Sequence, residues 1–395
     1  MAMTFSVRQF LREIPVKTLK AYFESKSAAV PLEWWKHKEP KLISELAGYL
    51  SSGTDQIGAA ILAEMVRIHP MATERGRNAL LNAALRRDEF VEQFGALAND
   101  YERALWVFME HSDIFREGEE LRFFDYYSEG NRGRHYRTRP NLTVSREAAD
   151  VDAFKTEMCR FHHLRDGSGI SCDIEFAERH QDHSTQVAVY VQGLPNNGME
   201  FVNGKHVRRV SNPSLEAAIV YDASNGNTST VAKGGKDVHE GLREAFARKL
   251  LKIEPKFDLV RKRGFLLDSL KTPQPLAPDP ALGVKAVRVR KLRLAPPAMN
   301  SGLLIIEAPS GKPETSVYDL GNNWFSERSR VYTKFTVVHA TISMHFNLPP
   351  GAKKAKTLNI ELTLPNTSNL KDLPDADRKV AETHIEKWKL IESAK

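Results

Sequence analysis

Apolar residues recur with one period up to about residue 128 and with another after it, and this switch constrains the fold more than any motif in the chain. Before it the spacing is helical. Ser6 is placed to cap a turn carrying Val7, Phe10, Leu11 and Ile14, and Pro15 suits the first turn of a second helix carrying Leu19, Tyr22 and Phe23. Leu42, Leu46, Tyr49 and Leu50 share a face, and Ile57, Ile61, Met65 and Ile68 repeat it after a break at Gly53-Thr54. Asn99 is placed to cap a later helix through Ala104, Trp106 and Val107. No fixed repeat runs through these helices, which predicts a compact helical domain over residues 1–128 and excludes a solenoid.

After Tyr127 the residues Glu129 to Pro140 are polar and rich in arginine, which predicts a linker or exposed loop. A helix capped by Ser145 follows, with Val151, Phe154, Met158 and Phe161 in one stripe. Period two then begins. Ile170, Cys172, Ile174 and Phe176 alternate with Ser171, Asp173 and Glu175, so the carboxylates are expected on the outer face of a half-buried strand. Val187, Val189 and Val191 make another strand, while Asn203-Gly204 and Asn225-Gly226 are hairpin turns. Val238, Leu242, Ala245, Phe246 and Leu250 line a closing helix. Hairpin-linked strands flanked by helices predict an α+β domain over residues 141–270 with a largely antiparallel sheet.

Pro273, Pro275, Pro278 and Pro280 interrupt any helix or central strand and suggest a boundary. Beyond it a β-rich domain is expected over residues 282–395, with strands at Val284 to Leu294, Leu303 to Glu307, Tyr332 to Phe346 and Thr357 to Leu364, and a short helix from about Asp375. In the first of these strands Arg288 and Arg290 share parity with Leu292 and Leu294, so a bulge near Lys291 must re-phase it.

Composition narrows the functional classes. Hydrophobic residues are 41% and charged residues 27%, which excludes a disordered, collagenous or disulfide-stapled chain, and 395 residues exceed what one core usually serves. The amino terminus interrupts its apolar residues with Arg8, Arg12 and Glu13, so no secretory leader is expected. No apolar run approaches the ~20 residues of a membrane helix. With only Cys159 and Cys172, free thiols in a reducing, cytoplasmic setting are expected.

The net charge of +7 is unevenly distributed: residues 1–130 carry −4, and the remainder +11. A local basic excess points to a polyanionic partner, DNA or RNA, because attraction to phosphate depends on charge density. The candidate contacts are Arg132, Arg134, Arg137 and Arg139; Lys205, Arg208 and Arg209; Arg261, Lys262 and Arg263; and Arg288, Arg290, Lys291 and Arg293, with Lys285 and the Lys353, Lys354, Lys356 run beside them.

Three further constellations carry chemistry. Asp173 and Glu175, two apart on a strand, are candidate catalytic carboxylates for Mg²⁺ or Mn²⁺ in a nuclease, and His180 and His183, with His162-His163 before them, are candidate metal ligands. Lys233-Gly234-Gly235-Lys236-Asp237 joins a strand to a helix, where free amides favour an anion, although the full phosphate-loop spacing is missing. The pairs Trp34-Trp35, Phe123-Phe124 and Tyr126-Tyr127 suit base stacking or, more simply, the core. There is no nucleophile elbow, zinc-protease helix, dinucleotide fingerprint or paired CxxC. The sequence therefore predicts a non-enzymatic nucleic-acid-associated protein without a cofactor, whose helical domain packs on a protein partner. A divalent-metal nuclease and a scaffold subunit of a protein complex are the alternatives.

Overall fold

The structure is a computed structural model describing residues 5–52, 56–84, 87–130, 132–180, 182–202, 204–296, 302–309, 315–324, 334–348, 350–351 and 354–393. The turn residue Asn203, the Gly53-Thr54 break, Lys353 and the expected strand start at Tyr332 lie outside the described residues. The fold is α+β, and the chain forms two compact units, Thr4–Val260 and Arg261–Lys395. The boundary precedes the proline run, which lies within the second unit.

The first unit opens with α1 (Val7–Glu13), α2 (Val16–Ser25), α3 (Glu39–Ser51), α4 (Gln56–Ile68), α5 (Glu74–Ala84), α6 (Asp88–Ala96), α7 (Asp100–Glu110) and α8 (Ser112–Ser128). Ser6 accepts from the Gln9 amide and Asn99 from the Glu102 amide, so both expected caps form. Phe10, Leu11, Leu19, Leu46, Ile61 and Leu105 are fully buried in one core. Each contributes about 1.5–3 kcal/mol by leaving water.

Residues 129–140 are not a linker. β1 (Gly133–Arg137) lies inside an antiparallel sheet, between β7 (Asn227–Ala232) and β8 (Asp258–Leu259). Tyr136 is its single large apolar residue, and the arginines on either side conceal the strand's alternation. Gly133 is required where the chain leaves α8, because a Cβ there would lie 2.0 Å from the Ser128 carbonyl oxygen.

The rest of this unit comprises α9 (Ala148–Asp166), β2 (Cys172–Arg179), β3 (Ser184–Gln192), β4 (Asn196–Val202), β5 (Lys205–Ser211), β6 (Ser214–Asp222) and α10 (Lys236–Ala245). Helix α9 starts three residues after Ser145, whose hydroxyl donates to Asp150 instead of capping the helix end. The sheet order is β2-β3-β6-β7-β1-β8, and β4 and β5 form a separate two-stranded ribbon.

Both faces of the six-stranded sheet are covered. On one, Ile174, Val187, Val189, Ile219 and Tyr221 pack with Phe154, Met158, Leu242 and Phe246 from α9 and α10 and the turn after it. On the other, Ala218, Val220 and Val231 meet Phe124 of α8, and Ala177 joins the helical core. The face expected to carry Asp173 and Glu175 into solvent receives helices over part of its length: Asp173 is exposed, as expected, Glu175 is half-buried, and Ile170, expected inside, is 71% exposed ahead of the strand.

The second unit contains β9 (Val284–Ala295), β10 (Leu304–Glu307), α11 (Val317–Trp324), β11 (Thr336–Phe346), β12 (Thr357–Thr363), β13 (Thr367–Ser368) and α12 (Asp375–Lys387). Its strands are antiparallel in the order β10-β9-β11-β12-β13. Leu292, Leu294, Ile342, Met344, Ile360 and Leu362 form a core completed by Ala381 and Ile385 of α12. Thr341 pairs with Lys291 and Ile342 with Val289, so Arg290 is the extra residue of the expected bulge. No helix among the described residues is long and apolar enough to cross a membrane.

Candidate anion-binding surface

The bulge in β9 turns its cations away from the apolar core, but their charge is largely committed inside the fold. Arg288 is only 8% exposed and donates to the carbonyl oxygens of Thr315 and Pro309, at 2.7 and 3.2 Å. Arg290 and Lys291 both pair with Glu307, at 3.1 and 2.7 Å. Arg293 is half-buried behind them. Their combined charge holds the Glu307 carboxyl below its ordinary range, led by the Lys291 hydrogen bond. Arg263 pairs with Glu386 and donates to the Glu392 carbonyl, Lys262 is half-exposed, and Arg261 is exposed.

In the first unit the cationic side chains are more accessible. Arg134, Arg137 and Arg139 are exposed; Arg134 donates to the Gly133 carbonyl and Arg137 to Asn227. Arg132 lies over the Tyr127 ring, 4.3 Å from its centroid.

The β4–β5 ribbon is the most open element. Every residue of β5 is exposed, and the ribbon's register pairs Met199 with Arg208 and Phe201 with His206. Alternation therefore places Met199, Phe201, His206, Arg208 and Val210 on one face and Lys205, Val207 and Arg209 on the other. Phe201 is 79% exposed beside His206, with ring centroids 6.4 Å apart. Arg209 reaches Glu200 at 3.0 Å, a surface pair of small energetic value. The ribbon thus leaves Phe201, Val210 and Met199 in water beside exposed cations.

The four metal-ligand candidates are not brought together. Asp173 binds Lys155 at 2.8 Å and the Ile174 amide, and both contacts hold its carboxyl below the usual range. Glu175 faces Arg116 at 3.7 Å. His180 and His183 lie beyond the far end of β2, and Asp173 is separated from His180 by seven residues, roughly 23 Å of extended chain. Among the described residues no three histidine, cysteine or carboxylate side chains are placed to hold a metal ion.

Sequence reasoning missed a cleft of about 340 Å³ between α8 and the sheet, lined by Glu119, Glu120, Tyr190 and Glu216. Burial and the neighbouring charges of Glu175 and Glu216 outweigh the hydrogen bond from Tyr190 and push the Glu120 carboxyl up to about 7. Such a group can hold or release a proton near neutrality. No local spacing announces it, because helix α8 and strands β3 and β6 supply its parts.

Gly234 of the glycine pair lines a cavity between β7 and α10, and His162 of α9 lines it too. That histidine was legible: Phe154, Met158 and His162 are four apart, so it extends the helix's buried stripe. No protein-family model matches the chain, and no curated protein matches it.

Proposed function

We propose that this is a non-enzymatic, nucleic-acid-associated protein that grips the phosphate backbone through exposed cations, with the β4–β5 ribbon as its principal arm. The observation that carries this reading is the ribbon itself: Arg208, His206 and Phe201 share one exposed face, and Lys205 and Arg209 lie behind it. Cations meet phosphates and an open aromatic ring stacks on bases, a combination that suits single strands. A two-stranded ribbon is also narrow enough for the major groove. Arg134, Arg137 and Arg139 extend the cationic surface of the same unit, and Arg261 that of the second. The outer surface of the helical segment is left for a protein partner.

The test is fluorescence anisotropy of the full chain on single-stranded and duplex DNA and RNA across a salt series. Affinity is expected to fall linearly in log–log form. The Lys205→Ala, Arg208→Ala, Arg209→Ala variant is expected to weaken it about 10- to 100-fold and to flatten the slope by roughly 2 to 3. Phe201→Ala should cost about 1–3 kcal/mol on single strands and less on duplex. Absence of binding at low salt, or binding indifferent to salt, would overturn the reading. Substrate cleavage with Mg²⁺ or Mn²⁺, abolished in Asp173→Ala, Glu175→Ala, would replace it with the metal-nuclease alternative. Co-purification with an acidic protein and no nucleic acid would replace it with the scaffold.

A further inference from the structure

Where β7 runs into α10 the chain passes through two successive left-handed glycines, Gly234 at φ +116° and Gly235 at φ +81°. Gly235 holds the capping position and has no side chain to accept from the first-turn amides, so the positive end of this ten-residue helix carries no side-chain cap. Lys233 and Gly234 before the helix and Val238 in its first turn line a cavity of about 500 Å³, a size that takes a small ligand. Arg132, Arg165 and Lys233 bring cationic side chains to its lining, and Phe123 and Tyr127 of α8 supply an apolar wall.

A second observation points to a ligand independently of the helix end. His162 lines the same cavity, is only 4% exposed, and its buried Nδ1 has no hydrogen-bond partner among the described residues. A buried ring nitrogen without a partner has lost its bond to water with nothing in return, and such a group calls for a specific occupant.

The loop is also shaped for close approach. A Cβ at Gly234 would lie 2.5 Å from a Val238 methyl and 3.0 Å from Arg165 Nη2, so the Arg165 guanidinium rests against bare glycine backbone. Asp166 faces the cavity too, but its carboxylate accepts from the Ser168 amide and hydroxyl, and it lies 3.5 Å from Arg165. Glu216 stands where this cavity adjoins the Glu120 cleft.

We propose that this cavity binds a nucleoside phosphomonoester. The phosphate sits at the α10 amino terminus between Arg165 and Lys233 and takes a hydrogen bond from His162, while the base lies against Phe123 and Tyr127. Bidentate arginine and free helix amides favour a doubly charged phosphate over the neutral nucleoside. The ligand is either a free mononucleotide or the 5′-phosphate end of a strand, and the site does not depend on the ribbon's role.

Calorimetric titration of the full chain tests it, with adenosine and guanosine monophosphates, the matching nucleosides, inorganic phosphate, and one oligonucleotide with either a 5′-phosphate or a 5′-hydroxyl. A monophosphate is expected to bind at least about tenfold more tightly than its nucleoside, and Arg165→Gln and Lys233→Ala are each expected to weaken it about tenfold. Lys233 is exposed, so its variant keeps the fold even if Arg165→Gln does not. The Lys205→Ala, Arg208→Ala, Arg209→Ala variant should bind the monophosphate as the parent does. Tight binding of the mononucleotide identifies the free ligand, and preference only for the 5′-phosphorylated strand identifies a strand end. Equal affinity for nucleoside and monophosphate without such a strand preference, no saturation by any ligand, or full affinity in Lys233→Ala would overturn the proposal.

Discussion

A half-buried carboxyl and a buried imidazole in the first unit titrate in opposite senses. Burial, reinforced by Glu175 and Glu216, raises the Glu120 carboxyl from 4.5 to about 7. Its folded-state value is the higher one, so the stability it contributes is complete below about 4.5 and lost as pH rises through about 7. His239 behaves inversely: burial, then the charges of Arg134 and Arg243, lower it from 6.5 to about 4, while its Nδ1 lies 2.7 Å from the Thr230 hydroxyl. Its contribution is present above about 6.5 and lost as pH falls through about 4. The two trends oppose each other between about pH 4 and 7 and flatten the parent profile. Glu120→Gln should therefore be more stable than the parent at pH 8, by up to about 3 kcal/mol, and equal to it at pH 4. Urea unfolding at several pH values reads this, and an equal change at both ends would show that Glu120 does not titrate near neutrality.

A polar network centred on Arg179 joins α8 to the sheet among apolar contacts. Arg179 of β2, 9% exposed, donates to Asp125 of α8 at 2.6 Å and to Gln186 of β3 at 3.1 Å, and lies over the Phe124 ring. Gln186, fully buried, in turn donates to the Glu120 carbonyl at 2.8 Å. Removing the guanidinium leaves a half-buried carboxylate and the buried Gln186 amide without their partner, so Arg179→Met should cost roughly 1–3 kcal/mol in urea unfolding. Arg179→Met, Asp125→Leu should recover much of that loss, because the pair then leaves no unpaired charge; failure to recover would place the cost in the aromatic contact. The same interface marks what the sequence reveals. Caps at Ser6 and Asn99, the valine alternation of β3 and the Leu358, Ile360, Leu362 face of β12 are legible because each is set within a few residues. Asp173 of β2 is exposed, as the alternation predicts, whereas Glu175 is half-buried, because a strand's alternation shows that it has two faces, not what covers the second. Glu120 was hidden for the same reason: its partners come from strands distant in the sequence.

Charge is resolved only at the scale of the whole molecule. The boundary between Val260 and Arg261 divides the chain into parts of very different charge: residues 1–260 have 35 basic against 37 acidic side chains, −2, and residues 261–395 have 22 against 13, +9. The basic excess that begins after residue 130 therefore belongs mainly to the second unit, although its β9 arginines are largely engaged in the fold. Long-range attraction depends on net charge whether or not each cation is locally paired, whereas close phosphate contact needs free side chains. The two units should accordingly divide the work, the second raising the rate of encounter and the ribbon of the first holding the strand. Each has its own buried core, so residues 4–260 and 261–395 expressed separately should both unfold cooperatively. In stopped-flow association with a fluorescent single strand, the full chain should associate faster than residues 4–260 alone, by about tenfold at low ionic strength, and the difference should shrink above about 0.15 M salt. Dissociation should be governed by Lys205, Arg208, Arg209 and Phe201, so their alanine variants should speed release in both the full chain and the shorter fragment. Equal association rates with and without residues 261–395 would mean that the second unit's charge serves the fold or another partner and leaves strand capture to the ribbon.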